Sequence, residues 1–382
     1  MKTIHKILLL LFTAIAVISL YTSCNKKDLP NNGQPRITYV RITAPESSDS
    51  LLIGAGQGRL IAIMGENLEK AVEIWFNDQK ATLTPTYITS TTILVSIPTK
   101  IPVTVTNKLK IIFSNGEELL YDFVVQINKP SLTSMLSEFV NDGDVAVIRG
   151  DYFYAPIEVT FPGGLKGDVV SLKDQEIQVR VPAGAQPGQI TVKTNFGETK
   201  SNFLFRDNRP KVIDGDPHEG WWGTYLVTSP GAGDPAKISG NYYRMKKLVK
   251  EWVWDAPEVA GGPASSMSNH AKNVPDAAIL KPDDYYLKFE INTVKPYNAN
   301  RISINVGLNA EDNNAYIWPA PYDSKGQWNT ITIPFEEVVK AYAVKPVINP
   351  NGYWSRILVF GPGNLDADLC FDNLRVVPKV FK

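Results

Sequence analysis

Short stretches in which apolar and polar residues alternate run through most of the chain, and Gly, Pro and Asn separate them. Within residues 285–292 the apolar positions are Tyr285, Leu287, Phe289 and Ile291. Alternation with a period of two is typical of β-strands that bury one face and leave the other open to water or a ligand. The chain is therefore predicted to be all-β, with short strands and many turns.

One pattern of strands occurs twice, at a spacing of about 85 residues. Residues 60–65 match residues 145–150, and in both copies a strand ending in Gly is followed by an apolar pair near Phe. This pattern resembles the immunoglobulin-like TIG (IPT) domain. The resemblance implies two β-sandwiches, residues 35–128 (the first repeat) and residues 129–207 (the second repeat), and says nothing about function.

The start of the chain has the pattern of an export signal. Lysines precede an apolar stretch at residues 7–21, which is short for a membrane span and typical of a signal-peptide core. The stretch leads to Ser23 and Cys24, which resemble a bacterial lipobox. The resemblance implies that residues 1–23 are a signal peptide and that Cys24 is lipidated. The alternative is a plain secretory signal in which Cys24 has no role.

Residues 24–34 are polar and contain Pro and Gly, which indicates a flexible tether behind the lipid. Lys27 followed by Asp28 resembles the surface-export signal of some Gram-negative lipoproteins. Lipidation converts a soluble chain into an anchored one. We therefore expect a protein anchored by lipid in the outer membrane and exposed at the cell surface.

Aromatic residues are distributed unevenly on the two sides of a charged junction at residues 206–210. Of the eight Trp, only Trp75 precedes the junction, and the other seven lie in residues 211–382, which we call the C-terminal domain. Trp and Tyr combine a broad apolar face with a polar group and are favoured on binding surfaces. This asymmetry predicts that the functional site lies in the C-terminal domain.

Composition excludes several classes of function. The 39 basic residues equal the 39 acidic ones, so no global field favours nucleic acid. Two Cys are too few for a disulfide framework or a Cys-rich metal site. No cofactor is predicted, although Asp214, Asp216 and Asp372 are candidates for a structural calcium site of the kind that related jelly rolls hold.

Two segments of the C-terminal domain, residues 327–334 and 370–376, resemble the closing strands of jelly-roll carbohydrate-binding modules. With the lipobox and the tandem repeats, they make the mature chain similar to surface glycan-binding proteins of starch-utilisation-type outer-membrane systems, in the class whose C-terminal domain binds xyloglucan. The resemblance implies a jelly-roll sandwich and a polysaccharide ligand. It also implies that the repeats are spacers, and that the partners are an outer-membrane glycan transporter complex and surface glycosidases.

A sugar-binding site needs a flat aromatic ring flanked by hydrogen-bonding side chains, because a sugar has a C–H face and a rim of hydroxyls. Trp318 and Tyr316 lie in a Pro-rich segment, and Tyr353 and Trp354 follow a turn at residues 349–352. In the xyloglucan-binding family the platform is a Trp followed later by a Tyr-Trp pair, which implies these residues here. The alternative is that the rings only fill the core.

The remaining tryptophans have competing interpretations. Trp221 and Trp222 lie between glycines and form either a platform or a staple for the first strand of the domain. Trp252 and Trp254 are two residues apart, which on a strand places both on one face and favours packing over binding. Trp328 is expected to be structural.

Polar positions of the alternating strands are candidates for hydrogen bonds to the rim of a sugar, although a solvated face is the commoner interpretation: Lys288, Glu290, Asn292, Arg301 and Asn305. Arg301 and Asn305 are included in the predicted site. They belong to the strand predicted at residues 301–306. Side chains of this kind fix the orientation of a ligand that stacks on aromatic rings.

Catalytic signatures are absent from the sequence. His5, His218 and His270 have no metal-binding spacing, and neither a nucleophile elbow nor a P-loop occurs. Glycoside hydrolysis requires only two carboxylates, such as Glu219 and Glu311, so it stays open as an alternative. The leading hypothesis is a non-catalytic glycan-binding lipoprotein for a plant β-glucan or hemicellulose. The other alternative is a cell-surface adhesin or scaffold that binds protein.

Overall fold

The structure, a computed structural model, describes residues 33–44, 46, 49–218, 220, 223–261, 274–308 and 314–380. Strands dominate these residues, and the two short α-helices among them are α1 (Asp276–Leu280) and α2 (Phe335–Lys340). The predicted all-β class is confirmed. Within the described ranges, no helix has the length and apolar character needed to cross a membrane. Cys24 and the predicted signal peptide lie outside the described residues.

Contacts divide the chain into two units, Met1–Ile127 and Asn128–Lys382. The strands of the first unit are β1 (Arg36–Ile42), β2 (Gly54–Gly56), β3 (Leu60–Glu66), β4 (Ala71–Phe76), β5 (Gln79–Lys80), β6 (Thr92–Ser96), β7 (Lys108–Phe113), β8 (Glu118–Asp122) and β9 (Val124–Gln126). One sheet has the order β1-β3-β6 and another the order β5-β4-β7-β8. Alternate residues such as Ile61, Ile63 and Ile74 are buried in a common core.

The second repeat forms the first part of the second unit and has its own core. Its strands are β10 (Ser131–Met135), β11 (Val145–Asp151), β12 (Ile157–Phe161), β13 (Leu165–Lys166), β14 (Asp168–Lys173), β15 (Glu176–Arg180), β16 (Thr191–Thr194) and β17 (Gly197–Lys200). The two sheets have the orders β10-β11-β15-β14 and β13-β12-β16-β17. On β11, Ala146 and Ile148 are buried in the core, so Val147 and Arg149 lie on the opposite face of the sheet.

The C-terminal domain is a sandwich with the largest of the three cores. Its strands are β18 (Lys211–Ile213), β19 (Leu226–Val227), β20 (Tyr242–Val249), β21 (Glu258–Gly261), β22 (Tyr285–Thr293), β23 (Ile302–Leu308), β24 (Tyr316–Trp318), β25 (Asn329–Pro334), β26 (Trp354–Val359) and β27 (Leu365–Pro378). The six-stranded sheet has the order β19-β20-β27-β22-β25, with β18 paired to β27, and the four-stranded sheet has the order β21-β26-β23-β24. The apolar faces of these sheets enclose the core.

A buried cluster of charges joins the second repeat to the six-stranded sheet. Arg375 on β27 is fully buried, and its Nη1 and Nη2 lie 2.8 Å from Glu290 and 2.7 Å from Glu138 of the second repeat. Glu138 also accepts a hydrogen bond from Lys288 on β22, and Asp207 lies 3.5 Å from Arg375 Nε. Burial opposes the charge of Arg375, but the carboxylates of Glu290 and Glu138 outweigh it and raise the pKa of the guanidinium.

The charge cluster changes the interpretation of the polar face of β22. Lys288, Glu290 and Asn292 were candidates for hydrogen bonds to a ligand, but all three are buried. Lys288 and Glu290 face charges of the junction instead, because a second domain covers this side of the sheet. Alternation of polar and apolar residues identifies the faces of a strand, but it does not distinguish water from another domain as the covering partner.

Candidate functional site

The four-stranded sheet of the C-terminal domain, β21-β26-β23-β24, carries most of the predicted site residues. Its strands present two different faces. Ile302 and Ile304 belong to the core, so Arg301, Ser303 and Asn305 lie on the opposite face, which we call the outer face. On β26 the corresponding outer positions are Trp354, Arg356 and Leu358. Antiparallel pairing sets Asn305 beside Arg356 and Ser303 beside Leu358.

Charged and polar groups meet at the centre of the outer face. Arg356 Nη1 lies 3.4 Å from Glu258 Oε2, its Nε lies 3.4 Å from Asn305 Oδ1, and its guanidinium lies over the Trp354 indole at 4.7 Å. Burial raises the pKa of Glu258 and lowers the pKa of Arg356, and in each case the partner opposes the effect of burial. The outer face is covered here, because Asn305 and Trp354 are both buried.

An exposed group of aromatic rings lies at the C-terminal end of β26, the end opposite to Trp354. Trp252 and Trp254 are 50% and 67% exposed, and both indoles meet the ring of Phe360 edge-to-face, at 5.4 Å and 5.1 Å between centroids. The guanidinium of Arg301 lies 5.4 Å from the Trp252 ring centroid, and its Nε donates to the Phe360 carbonyl. We call Trp252, Trp254, Phe360 and Arg301 the aromatic cluster.

The backbone of the loop between β20 and β21 holds the aromatic cluster in place. Trp252 has a φ of 53°, in the left-handed region, and its N–H donates to the Gly361 carbonyl at 3.1 Å. Gly361 is itself required, because a Cβ there would lie 2.4 Å from the Cβ of Arg301. The two chain segments therefore leave no room for a larger residue at Gly361, and the hydrogen bond from the Trp252 N–H holds the backbone that carries the indole.

The expectation that Trp252 and Trp254 pack inside the domain was wrong. That expectation assumed a strand, whereas both residues lie in the loop between β20 and β21, where the rings are open to solvent. A signal for the loop was present in the sequence, since Asp255 and Pro257 follow directly and such residues interrupt strands.

Trp318 lies in the core, which differs from the exposed platform expected from the sequence. It is 6% exposed, stacks on Tyr297 with 5.6 Å between centroids and 17° between planes, and also contacts Phe289 and Tyr322. The reason is register: Trp318 pairs with Ile302, whose side chain belongs to the core. Tyr316, two residues earlier, is half-buried against the same core.

The side chains of Tyr353 and Trp354 lie on opposite faces of the sheet. Tyr353 is buried in the core, and its hydroxyl donates a hydrogen bond to Asp276. Trp354 lies on the outer face and is also buried, with 4% of its surface exposed. Trp354 pairs with Leu308 and Trp318 with Ile302, positions about 20 Å apart along β23. The predicted platform of Trp318 with Tyr353 and Trp354 is therefore not brought together, and a role for each of them in binding stays a prediction.

Several candidates fall outside the described residues. These are Trp221, Trp222, His270 and both members of the alternative catalytic pair, Glu219 and Glu311. Gly220, which is described, lies against β21, because a Cβ there would come within 2.1 Å of the Ala260 carbonyl oxygen.

The three aspartates proposed for calcium do not form an open set of oxygen ligands. The ammonium of Lys211 lies 3.2 Å from Asp214 and 3.9 Å from Asp216. Asp372 is buried, and burial raises its pKa well above the usual value. In the described ranges no group of three or more His, Cys, Asp or Glu side chains is placed to hold a metal ion.

Two family models match the chain. The model of the surface glycan-binding protein B xyloglucan binding domain matches residues 205–378. The C-terminal domain is similar to this family over nearly its whole length. The IPT/TIG domain model matches residues 53–122, which confirms the resemblance noted for the first repeat.

One protein sequence and two crystal structures are similar to this chain over most of its length. An IPT/TIG domain-containing protein of Bacteroides ovatus is 28% identical over 287 residues, which are 67% of this chain but only 55% of the relative. The crystal structure of the surface glycan-binding protein PbSGBP-B from Prevotella bryantii is 23% identical, with 91% of this chain and 99% of that one covered and a TM-score of 0.65. A crystal structure with xylogluco-oligosaccharide is 16% identical, with 91% and 100% covered and a TM-score of 0.50.

Proposed function

We propose that this chain is a non-catalytic surface glycan-binding protein whose C-terminal domain captures a plant β-glucan of the xyloglucan type. The observation that carries the proposal is the aromatic cluster, in which the fold holds Trp252 and Trp254 in place without burying them. A sugar stacks its C–H face on such a ring and turns its hydroxyls to neighbouring polar groups, here Arg301. The family of the C-terminal domain is named for the same class of ligand.

The buried residues of the predicted site form the part of the sheet and core that carries the aromatic cluster. Arg356, Asn305 and Glu258 form a hydrogen-bonded layer on the sheet that carries Phe360 at its end. Trp318 fills the core beneath the first residues of β23. Under this proposal these residues hold Arg301 and the C-terminal end of β26 in position, while the exposed rings contact the glycan.

The location of the chain in the cell is part of the same proposal. Residues 1–23 would direct export, lipidated Cys24 would hold the chain at the outer membrane facing outwards, and the two repeats would act as spacers. A glycan transporter complex and surface glycosidases are the proposed partners. The lipobox pattern and the surface role in the family's name support this arrangement.

Electrophoresis through gels containing soluble polysaccharides tests the proposed function against both alternatives. We expect the mature chain to be retarded by xyloglucan, with no reducing ends released on incubation. Retardation with release of reducing ends would instead favour the hydrolase. Migration unaffected by xyloglucan, mixed-linkage β-glucan and glucomannan would contradict glycan binding and favour a protein-binding adhesin.

Replacement of Cys24 tests the anchor. The sulfur of Cys24 is the atom that would be acylated. We therefore expect Cys24→Ala to move the protein from the membrane pellet to the soluble fraction or to leave an uncleaved precursor. Fractionation followed by immunoblotting measures this. Unchanged, detergent-dependent membrane association of the variant would show that Cys24 is not the anchor.

A further inference from the structure

A cleft of about 680 Å³ lies between the second repeat and the C-terminal domain, and its lining shares no residue with the aromatic cluster. Its floor is the solvent-facing side of β11 and β15, including Val147, Arg149 and Gln178. Its opposite wall is formed by Trp328 and Asn292 of the C-terminal domain. Nothing in the proposed function uses this cleft.

We propose that this cleft is a second binding site for a neutral oligosaccharide. Trp328 supplies the aromatic surface: its Nε1 donates to the Ala236 carbonyl at 2.9 Å and its ring meets Tyr242 edge-to-face at 5.4 Å. These two contacts fix the orientation of the indole, and the ring still lines the cleft. A fixed ring loses little conformational entropy when a sugar stacks on it.

Asn292 supplies a polar group that lacks a partner. Its side chain is 1% exposed, and its Nδ2 donates to the Gly326 carbonyl at 2.9 Å. Its Oδ1 is buried and has no hydrogen-bond donor among the described residues. A buried acceptor without a donor is unfavourable by about 1–3 kcal/mol. A sugar hydroxyl would supply the missing donor.

The charges and amides of the cleft select for a neutral ligand. Its lining contains the carboxylates of Asp144 and Glu176 and the single guanidinium of Arg149, so an acidic polysaccharide is disfavoured. The carboxamides of Asn141, Gln178 and Gln327, also in the lining, both donate and accept hydrogen bonds, as sugar hydroxyls do.

The two sides of the cleft are held together by contacts that do not involve a ligand. Asn141 Nδ2 donates to the Lys237 carbonyl at 2.9 Å, and the Thr330 N–H donates to the Leu136 carbonyl at 2.8 Å. The charge cluster around Arg375 adds a buried connection. The cleft therefore exists before a ligand arrives, so binding does not have to bring the two domains together.

The cleft continues along the second repeat towards further aromatic side chains. Arg149 and Glu176 also line an adjoining groove that contains Tyr152 and Tyr154. Tyr152 is exposed and has a φ of 64°, a left-handed conformation that is unfavourable for a bulky residue. A chain of sugars that leaves the cleft at Arg149 would thus meet more rings, which favours an oligosaccharide over a monosaccharide.

Fluorine NMR of the mature chain labelled with 5-fluorotryptophan tests this second site directly. The signal of Trp328 is assigned with Trp328→Phe, and the titration is performed in the variant Trp252→Ala/Trp254→Ala, which lacks the two indoles of the aromatic cluster. We expect xylogluco-oligosaccharide to shift the Trp328 signal, and a polygalacturonate oligomer to leave it unmoved. A Trp328 signal that xylogluco-oligosaccharide leaves unmoved, or that polygalacturonate shifts as strongly, would overturn the proposal.

A substitution that fills the cleft provides the second measurement. Gln178→Arg places a longer side chain on the solvent-facing side of β15, and we expect it to weaken the affinity reported by Trp328 at least tenfold. Gln186→Arg, an exposed position of the same repeat away from the cleft, is the matched control. Equal affinity in both variants would contradict the site. The proposed role of the aromatic cluster has a separate criterion, since it fails if Gln178→Arg combined with Trp252→Ala/Trp254→Ala is retarded by xyloglucan as strongly as Gln178→Arg alone.

Discussion

Alanine at Trp254 is expected to remove most of the affinity for xyloglucan while leaving the fold intact. The indole is 67% exposed, so it contributes little to the free energy of unfolding. An aromatic ring at a binding hot spot costs about 2 kcal/mol or more on truncation, which is roughly 30-fold in affinity. Calorimetric titration with xylogluco-oligosaccharide and thermal unfolding of the same sample measure the two effects.

Two further variants separate binding from folding. Val253→Ala changes an exposed side chain between the two indoles and should affect neither quantity. Trp318→Ala removes a ring that is packed on Tyr297 and Phe289, so we expect it to lower the free energy of unfolding by about 3–5 kcal/mol. Wild-type affinity in Trp254→Ala would show that the aromatic cluster is not the glycan site.

Glutamine at Glu138 is expected to destabilise the second unit severely. Glu138 faces both Lys288 and Arg375, and all three side chains are buried. Removing one partner from a buried ion pair leaves the other charge uncompensated, which costs about 3–5 kcal/mol. Chemical denaturation should therefore show a lower midpoint for the part of the chain after residue 128.

An exposed ion pair of the same repeat provides the control for Glu138→Gln. Glu158 pairs with Lys166, and both side chains are well exposed to solvent. Water screens such a pair, so Glu158→Gln should leave the midpoint nearly unchanged. If both substitutions have equally small effects, the buried charge cluster does not hold the two domains together.

The strands and cores could be predicted from the sequence because burial follows the period of two. Ile302 and Ile304 alternate with Ser303 and Asn305, and the structure places the two sets on opposite faces of β23. The same pattern identified the repeats as sandwiches. Local alternation contains this information because a strand has only two faces.

The open aromatic rings could not be predicted from the sequence in the same way. The structure exposes Trp252 and Trp254 and buries Trp318 and Trp354, the reverse of the expectation. Exposure of a ring depends on whether its segment pairs within a sheet and on which side the next strand lies. Trp318 pairs with a core residue of β23, and this pairing is long-range information that a single segment lacks.

The left-handed backbone of Trp252 implies a trade-off between stability and binding. A bulky side chain in this conformation costs about 1–2 kcal/mol, and Asn or Gly adopts it more easily. A smaller residue at this position would relieve the backbone strain, so the indole is present at a cost in stability. Trp252→Asn should thus give a domain that is more heat-resistant and a poorer receptor, the pattern found where a functional surface is maintained at the expense of stability.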